Sequence, residues 1–214
     1  MLRRLNLFLL FAGLSASATV IDRIAVIVDK HVIKTSDIDR DLRATEFLNG
    51  TPLDLSVDAK RKAAERLIDQ SIVREEIEKG VYSQSSAADV NGMWKQLLVD
   101  RFGGSQTRLN QELSRYGLTE EQLRMETQWQ LDVLKFIDQR FRPGVLVTDE
   151  EVHSYYDGHL ADLERQFPQL KTYQAMEPKI RASLEGERLN QNFEQWIAEA
   201  RKRDRIEYRQ GAFQ

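Results

Sequence analysis

Three histidines, His31, His153 and His159, are the only imidazoles in the 214 residues, and there is no cysteine. Two metal ligands on one helix face need a spacing of three or four; His153 and His159 are six apart. His31 falls in a predicted turn, so all three read as solvated surface groups. Without cysteine the chain has no thiol nucleophile, no thiolate metal site and no disulfide. Asp149, Glu150 and Glu151 form the densest acidic run, but they follow Thr148, and acids belong in the first turn of a helix. Asp37, Asp39 and Asp41 alternate like a calcium loop without its glycine and distal glutamate. Gly103-Gly104 follows a helix and lacks the lysine of a phosphate loop, and no G-x-S-x-G elbow exists. The common catalytic classes therefore find no motif, and neither enzyme activity nor a cofactor is expected. What remains is binding chemistry. Met93, Trp94, Phe102, Met125, Trp129, Phe136 and Trp196 are polarizable or aromatic, the kinds of side chain that adapt to varied partners. Helix-spaced aromatics are more often core, and Trp94 and Trp196 lie on apolar stripes. Met125 and Trp129, four apart and flanking the main stripe of their helix, are the candidate residues for contact with a client polypeptide.

The elements that position them are legible mainly through their caps. Ile24 to Val28 alternate with period two, Asp29-Lys30-His31 reads as a turn, and Val32-Ile33 begin a second strand. Ser36, with Asp39 three residues on, is expected to cap a helix over 37–47, and Asn49-Gly50-Thr51-Pro52 breaks the chain. Ser56 opens a helix to Lys79 with Gly80 at its end. Ser86 and Asp89 open a third, stopping near Phe102-Gly103-Gly104. Ser105 opens a short fourth, ended by Gly117. Thr119 and Gln122 form a capping box for a fifth helix to about Phe141, and Thr148 and Glu151 another for a sixth, ended near Pro168. Pro178 suits the first turn of a final helix carrying Ile180, Leu184, Phe193, Ile197 and Ala200. Arg205 to Arg209 reads as a last strand. Pairing it with the opening hairpin gives a small sheet, since two strands alone are marginal in water. The fold class expected is mainly α with a small β-sheet.

Arg3 and Arg4, the apolar run Leu5 to Leu14 and the small residues Ala16-Ser17-Ala18 form the pattern of a cleaved signal peptide over 1–18. The apolar run is about half the roughly 20 residues a bilayer core requires, so stable membrane insertion is not expected. Removing residues 1–18 takes away two arginines and no acids, moving the formal net charge from −3 to −5. An acidic chain offers no basic stripe to nucleic acid. Residues 19–214 show no internal repeat or low-complexity linker and read as one domain, closed by a helix and strand over 178–209.

The order of these segments resembles the SurA family of periplasmic chaperones. Val20-Ile21-Asp22-Arg23-Ile24-Ala25-Val26-Ile27-Val28-Asp29 and Val32-Ile33-Lys34-Thr35-Ser36-Asp37-Ile38 are similar to the family's N-terminal start. Ala64-Glu65-Arg66-Leu67-Ile68-Asp69-Gln70 with Glu75-Glu76 resembles its second helix. Phe102-Gly103-Gly104 and Tyr116-Gly117-Leu118-Thr119-Glu120-Glu121-Gln122-Leu123-Arg124 look like the linked helices that follow. Val147-Thr148-Asp149-Glu150-Glu151-Val152 with Tyr155-Tyr156 matches the module's exit, and Trp196-Ile197, Ala200-Arg201 and Ile206-Glu207-Tyr208 its C-terminal helix and strand. The resemblance implies a periplasmic, ATP-independent chaperone for unfolded polypeptides, above all outer-membrane proteins. Family members usually carry parvulin-type prolyl isomerase domains before the C-terminal helix. Here only about 25 residues separate Tyr156 from Ile180, too few for an independent domain, so no isomerase site carries over. The expected client groove lies between the N-terminal helices and the returning last helix. Two alternatives stand beside this reading: a module docking one dedicated envelope-assembly partner, and a degenerate isomerase. Monomer and a dimer exchanging the terminal helix both fit the sequence.

Overall fold

A computed structural model describes residues 22–213; the signal-peptide reading of 1–18 lies outside them. The described chain runs β1 (Ile24–Val28), β2 (His31–Lys34), α1 (Thr35–Asn49), α2 (Val57–Lys79), α3 (Ala87–Phe102), α4 (Gln106–Tyr116) and α5 (Glu120–Phe141). A 3₁₀ turn (Arg142–Gly144), α6 (Asp149–Gln166), α7 (Tyr173–Arg203) and β3 (Ile206–Tyr208) complete it. It is mainly α with one small antiparallel sheet, as the strand patterns at the two ends of the sequence imply. The sheet order is β2-β1-β3. β1 is central: Val28 pairs with His31 on one side and with Ile206 on the other.

Most helix starts fall where their caps put them. Ser56, Ser86, Ser105, Thr119 and Thr148 each accept a bond from the N–H three residues on, and Asp89, Gln122 and Glu151 return it. Three local readings need correction. His31 is in β2, because the turn needs only Asp29, at φ 50°, and Lys30. The start of α1 is closed by Asp37, which accepts the Lys34 N–H at 3.0 Å. Ser36 is already inside the first turn and donates its hydroxyl to Asp22 at 2.5 Å. Finally, α7 starts at Tyr173 behind a Thr172 cap, so Pro178 lies inside the helix. Pro178 forfeits the one bond its own N–H would make to the carbonyl of Gln174, two residues beyond the first intrahelical bond, from the Met176 N–H to the Thr172 carbonyl.

Three apolar clusters hold these elements. Val26, Val28 and Ile33 of the sheet pack on Ile38 and Leu42 of α1, Ala64, Ile68 and Ile72 of α2, and Ala200 of α7. Phe47 heads a second cluster with Trp94, Phe102, Leu109, Leu113, Tyr116 and Leu123. A third joins Val147, Val152 and Leu163 to Met176 and Ile180, so the first half of α7 packs on α6 and the second half on the sheet core. Between them Phe136 and Phe141 of α5 meet Trp196 and Phe193 of α7, with centroids 5.5 and 6.0 Å apart.

The return of α7 is fastened by Arg201. Its guanidinium donates to Asp69 Oδ1 at 2.5 Å, to Glu65 Oε2 at 2.6 Å and to the Glu65 carbonyl at 2.8 Å. The Tyr208 hydroxyl donates to the other oxygen of Glu65 at 2.6 Å. Burial pushes the Tyr208 phenol up to about 12, with the Glu65 bond adding to it.

Candidate functional site

The face of α5 turned away from its buried Leu123 and Thr127 carries Gln122, Met125, Glu126 and Trp129, related by three- and four-residue steps, and the buried Phe136 continues that face two turns beyond Trp129. These residues form one wall of an open groove of about 690 Å³. The facing wall comes from α1 (Asp37, Arg40, Asp41, Ala44) and α2 (Leu67, Gln70, Ser71, Arg74). Residues 31–33 of β2 close one end. The structure thus brings Met125 and Trp129 to one site. Met125 is 56% exposed, while Trp129 is half-buried beneath the Arg74 guanidinium, 4.1 Å from its ring centre. The other candidates are placed differently. Trp94, Phe102 and Phe136 are core, Trp196 is partly buried against the sheet core, and Met93 is exposed beside Leu131 and Leu134 between α3 and α5.

No residue of α7 lines the groove. The expectation that the returning helix forms a wall is therefore corrected. Arg201 and the sheet core draw α7 onto the opposite side of α2, and α5 takes the place facing α1.

The groove is polar and acidic on its floor. Asp41 is buried and ion-paired with Arg66, a partner outside the groove. Burial pushes its carboxyl above the usual range, with the Arg66 charge opposing. Glu126 sits next to it, and among the described residues no cation pairs with it; Gln130 donates to it at 3.3 Å. Burial again raises its pKa, and the Asp41 charge adds to the rise. A carboxyl whose folded pKa is raised supports folding below the unfolded pKa and costs stability once pH climbs through the folded one. Glu126→Gln is thus expected to stabilise the protein at pH 7 by up to about 1 kcal/mol. The gain should vanish below about pH 4, where the unfolded carboxyl is itself protonated. Urea denaturation of the two proteins at pH 7 and pH 3.5 checks this; an equal effect at both would assign it to packing.

The histidines do not converge. His31 faces Glu75, its Nε2 4.0 Å away and buried without a hydrogen-bond partner. His153 lies against Tyr173, and His159 stacks on Tyr155, with centroids 4.1 Å apart in both. Among the described residues no group of three or more histidines or carboxylates could hold a metal. No described helix is long and apolar enough to cross a membrane.

Sequence reasoning located two of the groove residues but missed Glu126, Arg74 and Val32. Glu126 carried a usable signal, since it shares the helical face of Met125 and Trp129. Arg74 and Val32 carried none, because their place depends on how α2 and β2 pack. Neither the family models nor the curated proteins compared with the chain give a match.

Proposed function

We propose that this protein is an ATP-independent periplasmic chaperone that holds unfolded polypeptides, outer-membrane proteins among them, in the groove between α1, α2 and α5. The observation that carries the reading is the lining. Met125, Trp129, Leu67 and Val32 offer adaptable apolar surface, interleaved with amide and charged side chains able to meet a backbone of any sequence. The order of SurA-like segments supports the same reading, and the Arg3–Ala18 pattern supports export. The stretch where that family carries isomerase modules, between Tyr156 and Ile180, is here the second half of α6, a short turn and the start of α7, which supports holding without isomerase activity.

The test dilutes a denatured outer-membrane barrel protein into buffer with the protein from Thr19 onward, and follows light scattering against an unrelated soluble protein. Suppression near equimolar ratio is expected. No suppression would overturn the general chaperone reading and favour a dedicated partner, which a single stoichiometric companion in a pull-down would reveal. Replacing Met125 and Trp129 together by serine is expected to weaken client binding about tenfold or more. The thermal midpoint should fall by only a few degrees, since one side chain is exposed and the other half-covered. A collapse of the midpoint would assign both residues to the core instead.

A further inference from the structure

The end of the groove is closed by β2, and no residue of β1 lines it, so the sheet edge that no described residue pairs with borders the cavity. Hydrogen bonding fixes which groups that edge presents. The Asp29 N–H donates to the Arg205 carbonyl at 2.9 Å, and the Arg209 N–H donates to the Ala25 carbonyl at 2.8 Å. Residues 25, 27 and 29 therefore direct their backbone groups to β3, and 26 and 28 direct theirs to β2, where they face Ile33 and His31. Val32 lies between those two and turns its N–H and C=O away from β1. Its neighbour Lys34 has its N–H taken by Asp37. Val32 is thus the one residue of β2 with both a donor and an acceptor offered outward; it lines the groove and is 44% exposed. The walls add a charge preference. Asp37, Asp41, Glu126 and Asp132 face Arg40 and Arg74, and Arg40 is already bound to Asp37 at 2.5 Å while Arg74 covers Trp129.

We propose that the groove takes an extended peptide segment by strand addition to the free edge of β2 at Val32, with a lysine or arginine of the segment directed to Glu126. The inference rests on the chaperone reading and specifies how a client is held. Main-chain bonding is independent of sequence, which suits varied clients, while the acid on the floor selects segments carrying a cation. A proline is tolerated on an edge strand where its missing N–H faces away from the ladder. Val32→Pro therefore removes the outward donor without breaking a sheet bond.

The experiment measures fluorescence anisotropy of a labelled heptapeptide of alternating valine and threonine with a central lysine. Two versions are N-methylated on alternate residues, and a third carries glutamate for lysine. Binding of the parent is expected to weaken about three- to tenfold with Val32→Pro and with one of the two methylated peptides. The glutamate peptide should bind several-fold more weakly, and that difference should shrink in Glu126→Gln. Equal binding by Val32→Pro and by all peptides would overturn strand addition and leave the chaperone reading standing. Suppression of aggregation without any peptide binding would do the same. Failure of both activities would remove the chaperone reading as well. If Val32→Pro loses its helical circular dichroism, the methylated peptides with the unaltered protein decide the matter.

Discussion

Phe47→Ala is expected to destabilise the protein by about 3–5 kcal/mol. Phe47 is fully buried at the C-terminal end of α1. Its ring stacks on Phe102 at 6.2 Å and takes the edge of Tyr116 at 5.6 Å, so one side chain ties α1 to both α3 and α4. Arg101 adds to the joint by donating to the Phe47 carbonyl at 2.6 Å while lying over the ring. Nothing nearby is small and mobile enough to fill the vacated volume, because its neighbours are themselves buried aromatics and leucines. The α1 wall of the groove leans on this joint: Ala44, one turn before Phe47, belongs to both the cluster and the groove. Urea denaturation followed by circular dichroism measures the loss. A value below about 1 kcal/mol would mean that the cluster collapses around the cavity and that α1 is held chiefly by the sheet side.

The second large effect is expected at Arg201. Arg201→Ala removes three charge-assisted bonds to α2 and should cost about 2 kcal/mol, discounted because the side chain remains partly exposed. The change should also be local first. Amide exchange at Ile206–Tyr208 and in the last turns of α7 should accelerate before that of the Phe47 cluster, because β3 loses the Glu65 anchor that Arg201 orients. The pH dependence has a definite sign. Burial pushes Glu65 up, but the bonds from Tyr208 and Arg201 outweigh it and hold its carboxyl below the usual range. A depressed folded pKa gives stability that is present above the unfolded pKa and lost as pH falls through the folded one. The gap between the unaltered protein and Arg201→Ala should therefore be full at pH 6–7 and narrow below about pH 4. A gap that stays constant with pH would show that the alkyl stem, and not the charge, fastens α7.

How much of this was written in the sequence follows from the range of each interaction. Caps are local, and Ser56, Ser86, Ser105, Thr119 and Thr148 mark helix starts without reference to anything distant. Two of the errors have the opposite character, the start of α1 and the wall facing α5. Ser36 looks like a cap, yet Asp22, fourteen residues back, claims its hydroxyl, and Asp37 closes the helix instead. The start of α7 is the exception, because Thr172 is itself a local cap that accepts the Ala175 N–H, and Pro178 stands six residues beyond it. Met125 and Trp129 stood out because they sit just off an apolar stripe, which is itself a local pattern. The wall opposite them was misassigned because helix-to-helix docking is settled by contacts such as Arg201 with Glu65 and Asp69, more than a hundred residues apart. No periodicity announces such a pair.

The sheet order has a consequence for the timing of assembly. β1 is the central strand, but one of its two neighbours, β3, is made only after the seven α-helices of the described residues. Bringing Tyr208 to Val26 closes a loop of most of the chain, at an entropic cost of roughly 5 kcal/mol that no earlier strand contact defrays. Until that closure a nascent chain has only the β1–β2 ribbon to draw on, and two strands alone are marginal in water. It must survive its own synthesis in the state that its groove is proposed to protect in others.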